Sequence, residues 1–399
     1  MIVGIVCEFD PLHNGHARLL AHARTLGADV VICAMSGNFT QRGDFAALSK
    51  TARAEMAVRC GADLVLELPA PWAMATAETF ARGGVALLRT AGADSLLFGS
   101  ECGDTAALAR LAACLDSAAF AKGLASAPDS GATFAVRRQT VAAALTDPET
   151  AALLESPNNT LAVEYLRALS RLGGGMTPYT LRREGAAHDG APAGDTASAS
   201  YLRALLRQGR YQAACGYMPV PAAEVLRREL AAGHLADGRL CERAILARAR
   251  GMSPGDWRAC DPGGEGLCNR MYRAARTACT VEELLAAAKT KRYPLARLRR
   301  MVLAAWLALP ESPVCAPYLR VLAANDTGRR LLRQMRDAGA PVLTKPADVS
   351  RLGTEAETLF AVESRCTDLY VLARPDPAQM APGQELRMTP VMRRTDKLT

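Results

Sequence analysis

The sequence predicts an α/β fold: a Rossmann-like parallel sheet of about five strands with helices on both faces, plus a mainly helical C-terminal region. Three observations predict it. The chain opens on a β-branched, apolar run, Met1–Cys7, closed off by Pro11. The triplet Gly-Ala-Asp recurs at 27–29, 61–63 and 92–94, each time just ahead of a short apolar run. Beyond Tyr211 the strand signals give way to helical ones broken at Gly233, Gly238, Pro254 and Gly263-Gly264.

Met1–Cys7 suits a strand covered on both faces. Pro11 cannot continue a central strand, so the strand ends by Asp10. His13-Asn14-Gly15-His16 then opens a helix that runs to about Leu26. Its N-terminus offers free N–H groups and the positive end of the helix dipole, which suits a phosphate. His13 and His16 are three apart and share one helix face. Gly15 between them lets a flat ligand approach the backbone. Each Gly-Ala-Asp glycine can cap the preceding helix in the left-handed conformation. The strands that follow are Val30–Met35, Leu64–Leu68 and Ser95–Phe98, at a spacing that fits successive βαβ units. Right-handed crossovers then give a parallel sheet, with ligands beyond the carboxyl ends of its strands. The segments expected there are the HNGH loop, 36–44, 69–72 and 99–104.

Helices are expected at Thr105–Leu115, Phe134–Leu145 and Leu161–Leu172, with Ser156-Pro157-Asn158-Asn159 as a loop before the last. Gly173-Gly174-Gly175 breaks the chain ahead of a fifth strand, Met176–Arg183. Gly185–Ala197, holding His188-Asp189, reads as a mobile loop. Ser198 caps the next helix, and Arg203 sits about one turn further on, within reach of a phosphate at that terminus. Three regions follow: 1–210 as an α/β domain with a phosphate site, 211–310 as a helical domain, and 311–399 as a small α/β element, a helix and a tail. The small element comprises strand Tyr318–Ala323, helix Thr327–Asp337 and strand Pro341–Thr344. The last helix is about Glu355–Leu372, and the chain after Pro375 reads as a surface or loose tail.

Composition narrows the class. The net charge of +8 and pI near 9.0 permit a polyanionic partner. Aromatics make up only 5%, which argues against a stacking platform for RNA. None of the twelve cysteines forms a Cys-x-x-Cys pair, so reduced core thiols are expected, with no structural zinc or other metal site. No run approaches the roughly 20 apolar residues of a membrane span, and no basic stretch precedes the first apolar run. A cytoplasmic protein with no membrane partner is expected.

His13 and His16 are the candidate catalytic pair, donors around a reacting phosphate. Gln41 and Arg42, in the loop after the second strand, can face phosphate or RNA. The fourth strand's end at Gly99 borders a nucleoside pocket. Asn158 and Asn159 are ligands or helix caps; Arg182 and Arg183 are triphosphate contacts or an exposed strand end. Lys50 and Arg53 read as a solvated helix face. Arg292, Arg297 and Arg300 belong to the most basic stretch, an RNA surface or an ordinary solvated face.

The segments EFDPLHNGH, SGNFTQRGDFAALSKTARAEMA, GADLVLELP, TAETFARGG, FGSECGD, SPNNTLAVEYL, RREGAAHDG, SASYLR and YLRVLAANDTGRRLL span nearly the whole chain. Together they resemble the bacterial tRNA(Met) cytidine acetate ligase family, within the HxGH nucleotidyltransferase superfamily. The resemblance implies an ATP-dependent ligase, with ATP-binding catalysis in 1–210 and tRNA binding in 211–310. Such an enzyme activates acetate as acetyl-adenylate, releases pyrophosphate, and transfers acetyl to N4 of the wobble cytidine of elongator tRNA(Met). It implies ATP contacts from Val6, Cys7, Glu8, Phe9, Asp10, Pro11, His13, Asn14, Gly15, His16, Leu19, Gly99, Asn158, Asn159, Arg182, Arg183, Ser198, Ser200 and Arg203, with Mg²⁺ accompanying ATP. Asp10, Leu12 and Ala187 stand where that family usually carries Asn, Phe and an aromatic residue. The alternatives are a small-molecule adenylyltransferase and a non-catalytic tRNA- or nucleotide-binding protein.

Overall fold

The protein is described by a computed structural model covering residues 1–127, 133–183, 192, 194–261 and 266–394. Five parallel strands form its centre: β1 (Ile2–Cys7), β2 (Val30–Ser36), β3 (Leu64–Leu68), β4 (Ser95–Ser100) and β5 (Thr177–Arg182). Their order is β3-β2-β1-β4-β5, all parallel. The chain moves outward from β1 to β3, then crosses back to lay β4 on the other side of β1. The connections leaving β1 and β4 therefore diverge, and a crevice opens at their carboxyl ends.

Alternation along β1 divides its side chains between two cores. Val6 packs with Trp72, Phe80, Phe98 and Tyr165, whereas Ile5 and Cys7 pack with Phe9, Leu20 and Leu205. The helices framing the crevice are α1 (Asn14–Thr25), α2 (Lys50–Arg59), α3 (Ala77–Thr90), α4 (Pro157–Arg171) and α5 (Ala199–Arg207). Gly83 and Gly84 let α3 lie close against the sheet. A Cβ on Gly83 would come 2.4 Å from Trp72, and one on Gly84 would come 2.7 Å from Val6.

The C-terminal strands depart from the sequence reading. β6 (Leu319–Ala324), expected in a small element of its own, pairs antiparallel with β3 in the main sheet. β7 (Val342–Leu343) and β8 (Val391–Met392) then pair parallel with β6. Every residue of β6 is buried, and β3 leaves an edge that it fills. Asn325 adds a polar tie, donating its N–H to the Asp63 carbonyl and its Nδ2–H to the Asp63 carboxylate.

Helix α6 (Val220–Ala231) packs Val225 and Leu226 into the second core. Residues 241–307 build a third core around Trp257, Met271, Leu284, Leu298 and Trp306, which also takes in Phe39 and Phe45. α4 begins at Pro157, earlier than expected, because proline is well suited to the first helical position. Asn158 and Asn159 are thus in a helical turn, not a loop. The tail after Pro375 is partly built in: Gln384–Arg387 is a short helix with Glu385 fully buried. Residues 184–191 and 193, with His188-Asp189, lie outside the described residues, as does Ala187. Among the described residues no helix is long and apolar enough to cross a membrane.

Candidate active site

The turn after β1 delivers two imidazoles to the crevice. Phe9, buried against the second core, takes a left-handed backbone (φ 47°) that redirects the chain. His13 is the N-cap of α1. The Gly15 N–H donates to Nδ1 of His13 at 3.1 Å, and the His13 N–H donates to Nδ1 of His16 at 3.3 Å. Two histidines thus make the reciprocal cap usually built from Ser and Glu. With both Nδ1 atoms accepting, each neutral ring carries its proton on Nε2. The rings stack at 3.6 Å, and Phe9 packs on His16 at 5.0 Å. Burial, then the charges of Arg183 and Arg203, lowers His13 to about 3. Burial, His13 and Arg183 hold His16 well below its usual value. Both rings are neutral N–H donors at neutral pH.

They open on a cavity of about 600 Å³ between the ends of β1 and β4. Of the residues expected at a nucleotide site, Val6, Cys7, Glu8, Phe9, Asp10, His13, Gly15, His16, Leu19, Gly99, Asn158, Arg182, Arg183, Ser198, Ser200 and Arg203 line it. Gln41 and Arg42 line it as well. Pro11, Asn14 and Asn159 do not. Asn14 instead donates its Nδ2–H to the Asp195 carbonyl at 2.8 Å. Asn159 accepts the N–H groups of Glu101 and Cys102 at 2.9 and 3.1 Å. In return, the Glu101 carboxylate accepts from the N–H and Nδ2–H of Asn158 and the N–H of Asn159. The two asparagines and Glu101 lock the end of β4 onto α4.

The sequence reading missed Arg18, His22, Phe80, Phe98, Leu161 and Tyr165 as cavity residues. A signal for one existed: Leu19 and His22 continue the three-residue spacing of His13 and His16 along one helix face. The aromatic wall had none, because it comes from three separate elements.

Charges around the cavity are arranged in pairs. Asp10 is 2% exposed; its Oδ1 accepts the Ala47 N–H at 2.7 Å, and its Oδ2 lies 3.6 Å from Nη1 of Arg203. Arg203 also donates to the Asp10 carbonyl and to Ser200 Oγ. Ser198 caps α5, its Oγ accepting the Tyr201 N–H at 3.2 Å. Glu8 accepts the Gln41 N–H on Oε1 at 2.7 Å. Burial raises the Glu8 carboxyl; the Gln41 N–H opposes this and Asp10 adds to it.

Lys50 and Arg53 are not on a solvated face. Arg53 is fully buried and donates to the carbonyls of Leu48, Glu8, Ser36 and Gly37, tying the ends of β1 and β2 together. Lys50 is 2% exposed and binds Glu67 at 2.6 Å and Glu385 at 2.7 Å. The basic stretch is divided too. Arg300 donates to the Gln41 carbonyl at 3.1 Å from α7 (Leu295–Leu307). A Cβ on Gly43 (φ 74°) would come 2.4 Å from the Arg300 nitrogen, so the 36–43 loop rests on that helix. Arg297 makes a two-pronged pair with Asp261 at 2.7 and 2.9 Å, and Arg292 is exposed. Among the described residues no group of three His, Cys, Asp or Glu side chains could hold a metal ion.

The profile of the HIGH nucleotidyl transferase family matches residues 1–385. A tRNA(Met) cytidine acetate ligase from Syntrophotalea carbinolica is 37% identical over 354 residues, covering 84% of this chain and 82% of its own. The chain belongs to the tRNA(Met) cytidine acetate ligase family. Another tRNA(Met) cytidine acetate ligase, from Acetivibrio thermocellus, is 32% identical over 411 residues, covering 96% of this chain and 98% of its own. The crystal structure of Thermotoga maritima TmcAL bound with alpha-thio ATP superposes with a TM-score of 0.91 at 28% identity, over 99% of this chain and 100% of that one. Its apo form gives 0.93. In this tRNA(Met) cytidine acetate ligase family member, Asp10 is neutralised from within by Arg203.

Proposed function

We propose that the protein is an ATP-dependent ligase that joins acetate to AMP and then passes the acetyl group to N4 of the wobble cytidine of elongator tRNA(Met). The observation that carries this reading is the His13–His16 pair. Two neutral Nε2–H donors face a cavity whose other wall holds Arg182, Arg183 and Arg203. An acetate oxygen attacks the α-phosphorus of ATP in line, and pyrophosphate leaves. Charge building on the α-phosphate oxygens is met by the Nε2–H groups and by the N-terminus of α1. A neutral imidazole suits this task, because it donates a hydrogen bond and keeps its proton. The three arginines and Ser198–Ser200 at the head of α5 hold the leaving pyrophosphate. No side chain need act as a covalent nucleophile.

Mg²⁺ would enter with ATP, held by phosphates and water, since the described side chains offer no cage for it. It would shield the phosphate charge. Gln41, Arg42 and Arg300 sit where the 36–43 loop meets the helical region. We place the anticodon loop of the tRNA across this junction in the cytoplasm, with the cytidine splayed toward the acetyl group.

ATP–pyrophosphate exchange tests the reading. Exchange that needs acetate and proceeds without RNA is the expected result. Exchange driven by another small acceptor would point to an adenylyltransferase. ATP binding without exchange, with or without bulk tRNA, would leave only a binding protein.

A further inference from the structure

The second half-reaction needs a base, and among the described residues of the cavity one carboxylate is placed for it. When cytidine N4 attacks the acetyl carbonyl of acetyl-AMP, a C–N bond forms and the C–O bond to the phosphate breaks. AMP departs with that electron pair, and one proton must leave N4. The exocyclic amine of cytosine is a weak nucleophile, because its lone pair is delocalised into the ring. Taking its proton as the C–N bond forms therefore speeds the step.

His13 and His16 cannot serve: each has Nδ1 occupied by a backbone N–H and Nε2 protonated. His22 also lines the cavity, but it stands nearly two turns of α1 beyond His16, with Nδ1 engaged by Thr25 Oγ1 at 3.0 Å. Among the described residues two carboxylates line the cavity, Glu8 and Asp10. Asp10 is enclosed, with Oδ1 on the Ala47 N–H and Oδ2 turned to Arg203. The nearby Glu101 spends both oxygens on Asn158 and Asn159. Glu8 differs. The Gln41 N–H fixes its Oε1 at 2.7 Å, and Oε2 bonds no described group. Arg53 grips the carbonyl of the same residue. Glu8 is thus held at its main chain by Arg53 and at Oε1 by Gln41, and it lines the cavity with Oε2 uncommitted to any described group. It stands one residue past β1, at the start of the histidine turn, and shares the cavity with the apolar wall of Phe80, Phe98 and Tyr165.

We propose that Glu8, which the family resemblance groups with the ATP contacts, is the general base of acetyl transfer: its Oε2 takes the N4 proton of the cytidine. Burial, which raises the carboxyl, makes it a stronger base than an ordinary carboxylate; Asp10 adds to this, and Arg203 and Arg53 oppose it. The proposal rests on the acetyl-adenylate reading above.

Its test separates the two half-reactions in E8Q, which keeps the shape and the acceptor for Gln41 but cannot take a proton. Acetate-dependent ATP–pyrophosphate exchange reports the first step. Single-turnover formation of N4-acetylcytidine in tRNA(Met) transcript reports the second. E8Q is expected to lose transfer at least 100-fold beyond any loss of exchange. Acetyl-AMP should then persist in the presence of tRNA, and hydroxylamine, a nucleophile that needs no such base, should trap it. Glu8→Asp, with its acid one methylene further back, should show the same split at smaller size and stands in if E8Q does not fold. Equal loss of both steps, or transfer within threefold of wild type, overturns the proposal. Failure of the wild-type protein to support acetate-dependent exchange overturns the underlying reading instead.

Discussion

Two polar regions lie side by side at the carboxyl end of the sheet, and they use charge in opposite ways. At the head of α1, His13 and His16 have one nitrogen satisfied by backbone and the other aimed into the cavity. At the head of α2, Lys50 and Arg53 face inward and are saturated: Lys50 by Glu67 and Glu385, Arg53 by four carbonyls. The first arrangement keeps donors in reserve for a ligand. The second uses them up on holding β1, β2 and the C-terminal chain together. Two stretches that look equally polar in sequence therefore do different work: one binds, the other braces.

Breaking the brace should have the largest effect on the fold. Lys50→Met leaves Glu67 buried without its cation and Glu385 with Arg320 alone, and a loss of about 3–5 kcal/mol is expected in denaturant unfolding. A loss below about 1 kcal/mol would mean that the cluster is solvated. Burial pushes Lys50 down, but Glu385, Glu67 and Glu363 outweigh it and raise it, so Lys50 should keep its charge at neutral pH.

Breaking the binding pair should spare the fold and strike the rate. His16→Asn is expected to lower kcat for ATP–pyrophosphate exchange by about 10²–10³-fold, with a much smaller change in KM for ATP. Comparable changes in both would assign His16 to ground-state binding.

The histidines also give the contrast a pH signature. His13 titrates near 3 and His16 well below its usual value, against 6.5 for an ordinary imidazole. In that window the unfolded chain binds protons that the folded protein refuses. Stability should therefore be complete above about pH 6.5 and fall as the pH drops from there toward 3. His13→Gln should flatten part of that slope; an unchanged slope would show that the imidazoles accept protons in the fold.

The smallest effect sharpens the boundary between the two kinds of site. Asn159→Ala removes the acceptor for the Glu101 and Cys102 N–H groups and should cost about 1–2 kcal/mol. KM for ATP should stay within about threefold in steady-state exchange. A tenfold rise would make Asn159 a ligand.

The sheet's five parallel strands and the imidazole pair were legible because their signals are local: β-branched runs, a glycine turn repeated at regular spacing, and two histidines one turn apart. The brace was not. Lys50 looks solvated until Glu385, far along the chain, closes over it, and no periodicity announces that contact. β6 reads as a strand from its own residues, but its partner β3 is set by which edge of the sheet is open. Asn158 and Asn159 were ambiguous between capping and ligation for the same reason; the deciding partner, Glu101, lies far back in the chain, just past the end of β4. Asp10 stands where the family usually carries Asn, and nothing local in the sequence shows that Arg203 comes within 3.6 Å of it.

The antiparallel docking of β6 on β3 has a consequence for the order in which the protein is made. The catalytic turn leaves the ribosome well ahead of residues 319–324, and β3 keeps an open, apolar edge until those residues emerge. Lys50 likewise waits for Glu385. A nascent chain therefore carries its active-site corner long before it can seal the sheet beside it. Throughout that interval the β3 edge is the surface on which premature pairing with another chain would begin.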